Sequence, residues 1–100
     1  MYDAMEQAGI TVVRGLGELG RAELAGIAAL ATRARREGRL VVIDLARVTH
    51  LHYGGAALLK AVPGLRAAGA SSYVRDLVHA GGAAGYVELY DDVEEAVRAA

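Results

Sequence analysis

The chain has no cysteine, phenylalanine or tryptophan, only one proline, and a single lysine, Lys60. Without cysteine there is no disulfide, no thiolate nucleophile and no Cys-based metal site. With phenylalanine and tryptophan missing, and much of the apolar share in alanine, the core is expected to be shallow. No charge excess exists either. The formal net charge is -1, so there is no basic field for nucleic acid. No apolar run approaches the roughly 18 residues of a membrane span, and no signal peptide opens the sequence. These absences lead us to expect a soluble, cytoplasmic protein with no membrane insertion and no nucleic-acid partner. The ten arginines beside one lysine suit a GC-rich bacterial genome.

What is present reads as a globular chain: 54% of it is hydrophobic, too much for disorder. One hundred residues fit a single domain, 1–100. "ITVVR" is β-branched and predicts a strand, with "YDAMEQ" before it as a weaker antiparallel partner. Gly15, Gly17 and Gly20 then mark an exit from that strand. From Arg21 to Glu37 the apolar residues Leu24, Ile27, Ala28, Ala31 and Ala34 follow the helical period, and Gly38 closes the helix. "RLVVIDL" is a continuous apolar run, the mark of a parallel strand covered on both faces, which places Asp44 in or near the core. Residues 54–68 return to helical spacing through Leu58, Leu59, Val62 and Leu65, with Pro63 as a kink or break.

Residues 70–90 are open to two readings. "SSYVRDLV" fits a strand. It also fits a helix capped by Ser72 that buries Val74, Leu77 and Val78 and stops at Gly81-Gly82; the helix is preferred. "YVELY" alternates as a strand, and "DDVEEAVRAA" is a short helix with a capping box from Asp91 to Glu94. The fold class is α/β, a small mixed β-sheet packed with amphipathic helices.

The chemistry concentrates in "HLHYGGAALL", at the carboxyl end of the central strand, where sites in such sheets lie. His50 and His52 stand two apart and face one way in an extended chain. Zinc needs three or four ligands. His79 and Asp76 are the nearest other candidates in sequence, but nothing brings them close, so no metal site and no cofactor is expected. A triad of histidine, Asp44 and Ser71 or Ser72 lacks the nucleophile elbow. No catalytic residue is assigned and the chain is not expected to be an enzyme. Gly54-Gly55 at a helix start offers backbone N–H groups to an anion, yet without the Walker lysine it reads better as a tight turn. Tyr53, followed by Gly54, Gly55, Ala56 and Ala57, makes a flat surface with one aromatic anchor. The alternative is a ring packed onto its own domain.

The ordered set of strings resembles a STAS domain, the fold of the anti-sigma factor antagonists. "RLVVIDLARVTHL" resembles that family's central strand, "GGAALLKAV" its second helix, and "YVRDLVHAGGAAGYVELYDDVEEAV" its third helix, last strand and last helix. The resemblance implies a protein partner, an anti-sigma factor or kinase-like protein. It also implies a signature of Asp, two hydroxyl residues and Gly, phosphorylated on the hydroxyl before the glycine. In this sequence those positions hold His52, Tyr53, Gly54 and Gly55, so no phosphorylation is expected at Gly54. The Gly-Gly pattern is also similar to the small STAS subunit of phospholipid-transport ABC complexes, where a threonine stands in the place of Tyr53 and the partner is an ATPase. A small-molecule or nucleotide-binding module is a third reading. The partner-binding turn is therefore assigned to His50, His52, Tyr53, Gly54 and Gly55, and a homodimer stays open. The family carries a further strand between the second and third helices. Between Gly69 and Val74 there is too little chain for both that strand and the third helix, so one of them is expected to be missing.

Overall fold

The computed structural model describes residues 1–83 and 85–99. Strands β1 (Tyr2–Gln7) and β2 (Ile10–Leu19) form a hairpin, followed by helix α1 (Arg21–Arg36) and strand β3 (Leu40–Leu51). Helix α2 (Tyr53–Ala56) runs into a 3-10 turn (Ala57–Ala61). Strand β4 (Arg66–Ala68), helix α3 (Ser72–Ala80), strand β5 (Glu88–Tyr90) and helix α4 (Val93–Arg98) complete the chain. The sheet order is β1-β2-β3-β4-β5. Only the first pair is antiparallel. The mixed α/β sheet expected from the sequence is therefore present.

The hairpin turn explains the antiparallel pair. Ala8 (φ 51°) and Gly9 (φ 80°) both adopt positive φ between the paired residues Gln7 and Ile10, the backbone of a type I′ turn. Asp3 sits opposite Arg14 and accepts its guanidinium at 2.9 and 3.1 Å. That hydrogen bond holds the Asp3 carboxyl below its ordinary value. Strand β2 does not leave the sheet at its glycines. It continues through Gly15 and Gly17 to Leu19, with register shifts between Arg14 and Leu16 and between Gly17 and Glu18. A side chain at residue 15 would meet Val48 Cγ2 at 2.6 Å, so this glycine lets β2 lie close beside the bulging β3.

Alternation along β3 divides two cores. Val41, Ile43, Leu45, Val48 and Leu51 join the large cluster with Leu24, Ile27 and Ala31 of α1 and Val74 and Val78 of α3. Val42 faces the other way, against Ala68 and Ala96. The central strand is thus covered on both faces, as its apolar run requires. Asp44 lies within it, just before its bulge, and is half-buried, less than expected. The bulge frees the Ala46 N–H, which donates to Asp44 Oδ1 at 3.0 Å and keeps the carboxylate near the surface.

The second helix is much shorter than the 54–68 expected. It tightens to 3-10 geometry at Ala57 and ends before Val62 (φ -94°, ψ 108°). Pro63 and Gly64 (φ 66°) then turn the chain, and Arg66–Ala68 is a strand between β3 and β5. This resolves the missing element. Both β4 and α3 are present, and the shortening falls on the second helix. Two caps also move by one residue. Ser71, not Ser72, accepts from the Val74 N–H, and Asp92, not Asp91, accepts from Glu95. Asp91 is bonded instead to Arg75 at 3.2 Å. Leu77 is half-buried, whereas Val74 and Val78 are fully buried. No helix among the described residues is long and apolar enough to cross a membrane.

Thr11 is the one buried polar residue of the core, and its Oγ1 has no hydrogen-bond partner among the described residues. A buried hydroxyl without a partner costs stability that valine of the same shape does not. Thr11→Val is therefore expected to raise stability by about 1 kcal/mol, read as a shifted midpoint in urea with unchanged slope.

Candidate functional site

The site begins at the end of β3. Leu19 and Leu51 pair across β2 and β3, and the His52 N–H donates to Leu19 O at 3.0 Å, so both strands stop together. His50 still belongs to the strand rather than to the turn. It is half-buried, and its Nδ1 lies 2.7 Å from the Tyr73 hydroxyl at the start of α3. His52 and Tyr53 are exposed, and their rings stack with centroids 5.6 Å apart and 2° between planes. The two histidines therefore make different contacts: one ties β3 to α3, the other turns into α2.

His52 is the N-cap of α2. Its Nδ1 accepts from the Gly55 N–H at 3.1 Å, the bond that an aspartate, serine or asparagine usually supplies. This bond also uses one of the N–H groups that an anion at the Gly-Gly turn would need. Asp44 and Ser71 are likewise occupied with backbone groups, at Ala46 and Val74. Among the described residues no three His, Asp or Glu side chains gather in a group that could hold a metal ion.

Each glycine of the turn has a distinct geometric role. A Cβ on Gly55 would lie 2.8 Å from Leu24 Cδ1 and 3.0 Å from the Arg21 Cα, so α2 can rest on α1 only with no side chain there. A Cβ on Gly81, at the end of α3, would meet the Tyr53 carbonyl oxygen at 2.5 Å. The backbone of Tyr53 is thus held from both sides, by α1 through Gly55 and by α3 through Gly81. A Cβ on Gly54 would approach His52 Cε1 to 2.9 Å and Nδ1 to 3.2 Å. The imidazole that caps the helix stands where a side chain at 54 would project.

Tyr53 projects from this rigid base with 60% of its surface exposed. It is not packed down on its own domain. Two further tyrosines that the sequence reading passed over share the surface around α3. Tyr73 (52% exposed) is bonded to His50, and the Tyr86 ring (61%) lies 5.7 Å from Lys60 Nζ. Nothing in the sequence spacing joins Tyr73 to His50. The one signal that could have pointed to it is position, because four of the five tyrosines, Tyr2, Tyr53, Tyr73 and Tyr90, fall at or beside element ends.

No protein-family model matches the chain, and no curated protein matches it. Solved structures do. The anti-sigma factor antagonist SpoIIAA in its unphosphorylated form aligns with TM-score 0.67 and 21% identity, over 97% of this chain and 94% of that one. The Bacillus cell fate determinant SpoIIAA in its phosphorylated form aligns with TM-score 0.63, also at 21% identity, over 97% and 96%. A Thermotoga maritima protein described as an anti-sigma factor antagonist gives TM-score 0.75 at 9% identity, over 96% and 91%. The chain therefore has the STAS-type fold of the anti-sigma factor antagonists, as its ordered strings suggested.

His52 and Gly54 should behave as a coupled pair. A side chain at 54 requires the imidazole to leave its bond to Gly55, whereas alanine alone favours a helix over glycine by roughly 0.5–1 kcal/mol. We expect Gly54→Ala to stabilise an H52D background and to be neutral or destabilising in the native one. The double-mutant cycle should show a coupling of about 0.5–1 kcal/mol, measured by chemical denaturation of the four proteins.

Proposed function

We propose that this chain is a non-catalytic protein-binding module, an anti-sigma factor antagonist-like regulator without the serine/threonine switch. It engages its partner through the end of β3 and the turn that follows, at His50, His52, Tyr53, Gly54 and Gly55. The observation that carries this reading is the mounting of Tyr53. Its backbone is clamped between α1 and α3, its helix is capped by His52, and its ring is left exposed. An anchor of this kind loses little conformational freedom on binding. Tyrosine combines a large apolar area with a polar tip, which suits a surface that must be hydrated when unbound. The polar groups that could support catalysis near the turn are otherwise engaged: His52, Asp44 and Ser71 bond backbone N–H groups, and His50 bonds the Tyr73 hydroxyl. Neighbours that are anti-sigma factor antagonists favour an anti-sigma factor or kinase-like partner over the ABC ATPase.

Tyr53→Ala is expected to leave the isolated domain folded, with little change in Tm, and to weaken partner binding by about 2 kcal/mol or more. Calorimetric melting and a binding isotherm on the same variant test this. A loss of several degrees in Tm would mean that the ring supports the domain instead.

The second test concerns the switch. Position 54 has no hydroxyl, and the capping imidazole occupies its approach. Incubation with an anti-sigma-type serine kinase and ATP is expected to leave residues 52–55 unmodified by mass spectrometry. Stoichiometric phosphate on Tyr53 would overturn the reading.

A further inference from the structure

Exposed large apolar side chains fall into two groups. Tyr53, Tyr73 and Tyr86 belong to the surface already described, and Met1, Met5 and Leu16 lie on or beside the β1–β2 hairpin. On the sheet face that carries α4, Met5, Ile10, Val12 and Val97 line an open apolar groove, and α4 does not extend over β1. Strand β1 is also the outer edge of the sheet, and every residue after Tyr2 in it is exposed. Edge strands are normally blunted with proline, charged side chains or a bulge. β1 has no proline or bulge, and its two charges, Asp3 and Glu6, are both paired within the chain, with Arg14 and Arg39.

The phase of that edge is fixed by the hairpin. The pair closing a two-residue type I′ loop, here Gln7 and Ile10, is a hydrogen-bonded pair. At the other end Leu16 N–H donates to Met1 O at 2.8 Å, and the Met1 nitrogen donates to Leu16 O at 3.3 Å. Odd-numbered residues of β1 therefore bond to β2. Tyr2, Ala4 and Glu6 present their N–H and C=O groups outward.

We infer that β1 is a self-association edge: a second copy of this chain adds its own β1 in antiparallel orientation, about a two-fold axis normal to the sheet. Such pairing joins residues of like face and bonds even-numbered residues to each other. Registers centred on Asp3 or Glu6 set that carboxylate against its counterpart in the other copy, and those centred on Tyr2 or Gln7 pair few residues, which leaves two. One centres on Ala4 and sets Tyr2 opposite Glu6 and Asp3 opposite Met5. The other centres on Met5, placing Ala4 opposite Glu6 and Asp3 opposite Gln7. Neither sets two carboxylates against each other, and Asp3 is already paired with Arg14 of its own chain. In the Met5-centred register the apolar strips of the two copies meet across the axis, whereas the Ala4-centred register sets each Met5 against the other copy's Asp3, so the Met5-centred register is the one proposed. That self-complementarity is what selects a second copy as the occupant. A strand pair this short lies at the small end of specific interfaces, so the dimer is weak and concentration-dependent.

Sedimentation velocity of the full chain from about 1 μM to 1 mM, the span expected for weak interfaces, is the direct test. A monomer–dimer equilibrium is expected, and a monomer at every concentration overturns the proposal. Ala4→Pro removes only an outward-facing N–H, and Met5→Lys places a charge on the shared strip. Each should raise the dimer Kd about tenfold or more while circular dichroism stays native. If Ala4→Pro fails to fold, Met5→Lys carries the test, because that side chain is already half exposed. Amide exchange of the parent chain gives an independent readout. The Ala4 and Glu6 N–H groups should slow as concentration rises, and the Met5 N–H should not. A dimer indifferent to Met5→Lys, or one that protects other amides, overturns the edge assignment.

Discussion

A Cβ at residue 55 would stand 3.0 Å from the Arg21 Cα. Helix α2 can therefore lie against α1 only because glycine is there, and the rest of the site follows from that approach. Once α2 is seated, the Tyr53 carbonyl comes close enough to α3 that residue 81 must be glycine too. Both contacts are to backbone atoms, which cannot move aside as a flexible side chain can. The turn is consequently rigid without a long helix behind it. A helix of four residues would not be stable alone, since nucleation costs more than so few hydrogen bonds return. Its order comes from packing.

That rigidity changes what His52 does. In the signature that this turn resembles, an aspartate occupies the position and a hydroxyl residue stands two places on. Here the imidazole provides the capping acceptor and also fills the space above Gly54. The two departures from the signature are thus one arrangement. A larger cap is compatible with a residue that has no side chain, and a small cap with a residue that has one. The neighbours at 21% identity share this fold, including SpoIIAA in phosphorylated and unphosphorylated forms.

Much of the frame was legible in the residues. The period of α1, the continuous run of β3 and the β-branched run of β2 with its weaker antiparallel partner are local signals, and the structure follows them. The sequence misled where one spacing serves two structures. Leu58, Leu59, Val62 and Leu65 satisfy a helical face, yet Leu65 and Ala67 also satisfy a strand that buries alternate residues. Pro63 and the positive φ of Gly64 decide for the strand, because the backbone has already turned before Leu65. The shifts from Ser72 to Ser71 and from Asp91 to Asp92 have a similar origin. Adjacent residues of equal capping ability are separated only by which one the chain leaves extended, and tertiary contacts settle that. The bond between His50 and Tyr73 was illegible for a simpler reason: it depends on α3 crossing the end of β3.

The two proposed surfaces use different parts of the molecule. One is built on α2 and α3, the other on the free edge of β1, with β2 and β3 between them in the sheet. Pairing through β1 would leave both tyrosine surfaces uncovered and fixed in relative orientation. A module with no acceptor hydroxyl at position 54 cannot be toggled there by phosphate, so under the proposed reading its occupancy would follow its own concentration and that of its partner. A weak dimer adds a second dependence on concentration. If the partner presents two sites at the matching span, the second engagement becomes intramolecular, and avidity rises without any new contact at Tyr53. If the spacing does not match, the gain vanishes. On these two proposals, control would rest on abundance and on a geometry set by a strand edge and a clamped tyrosine.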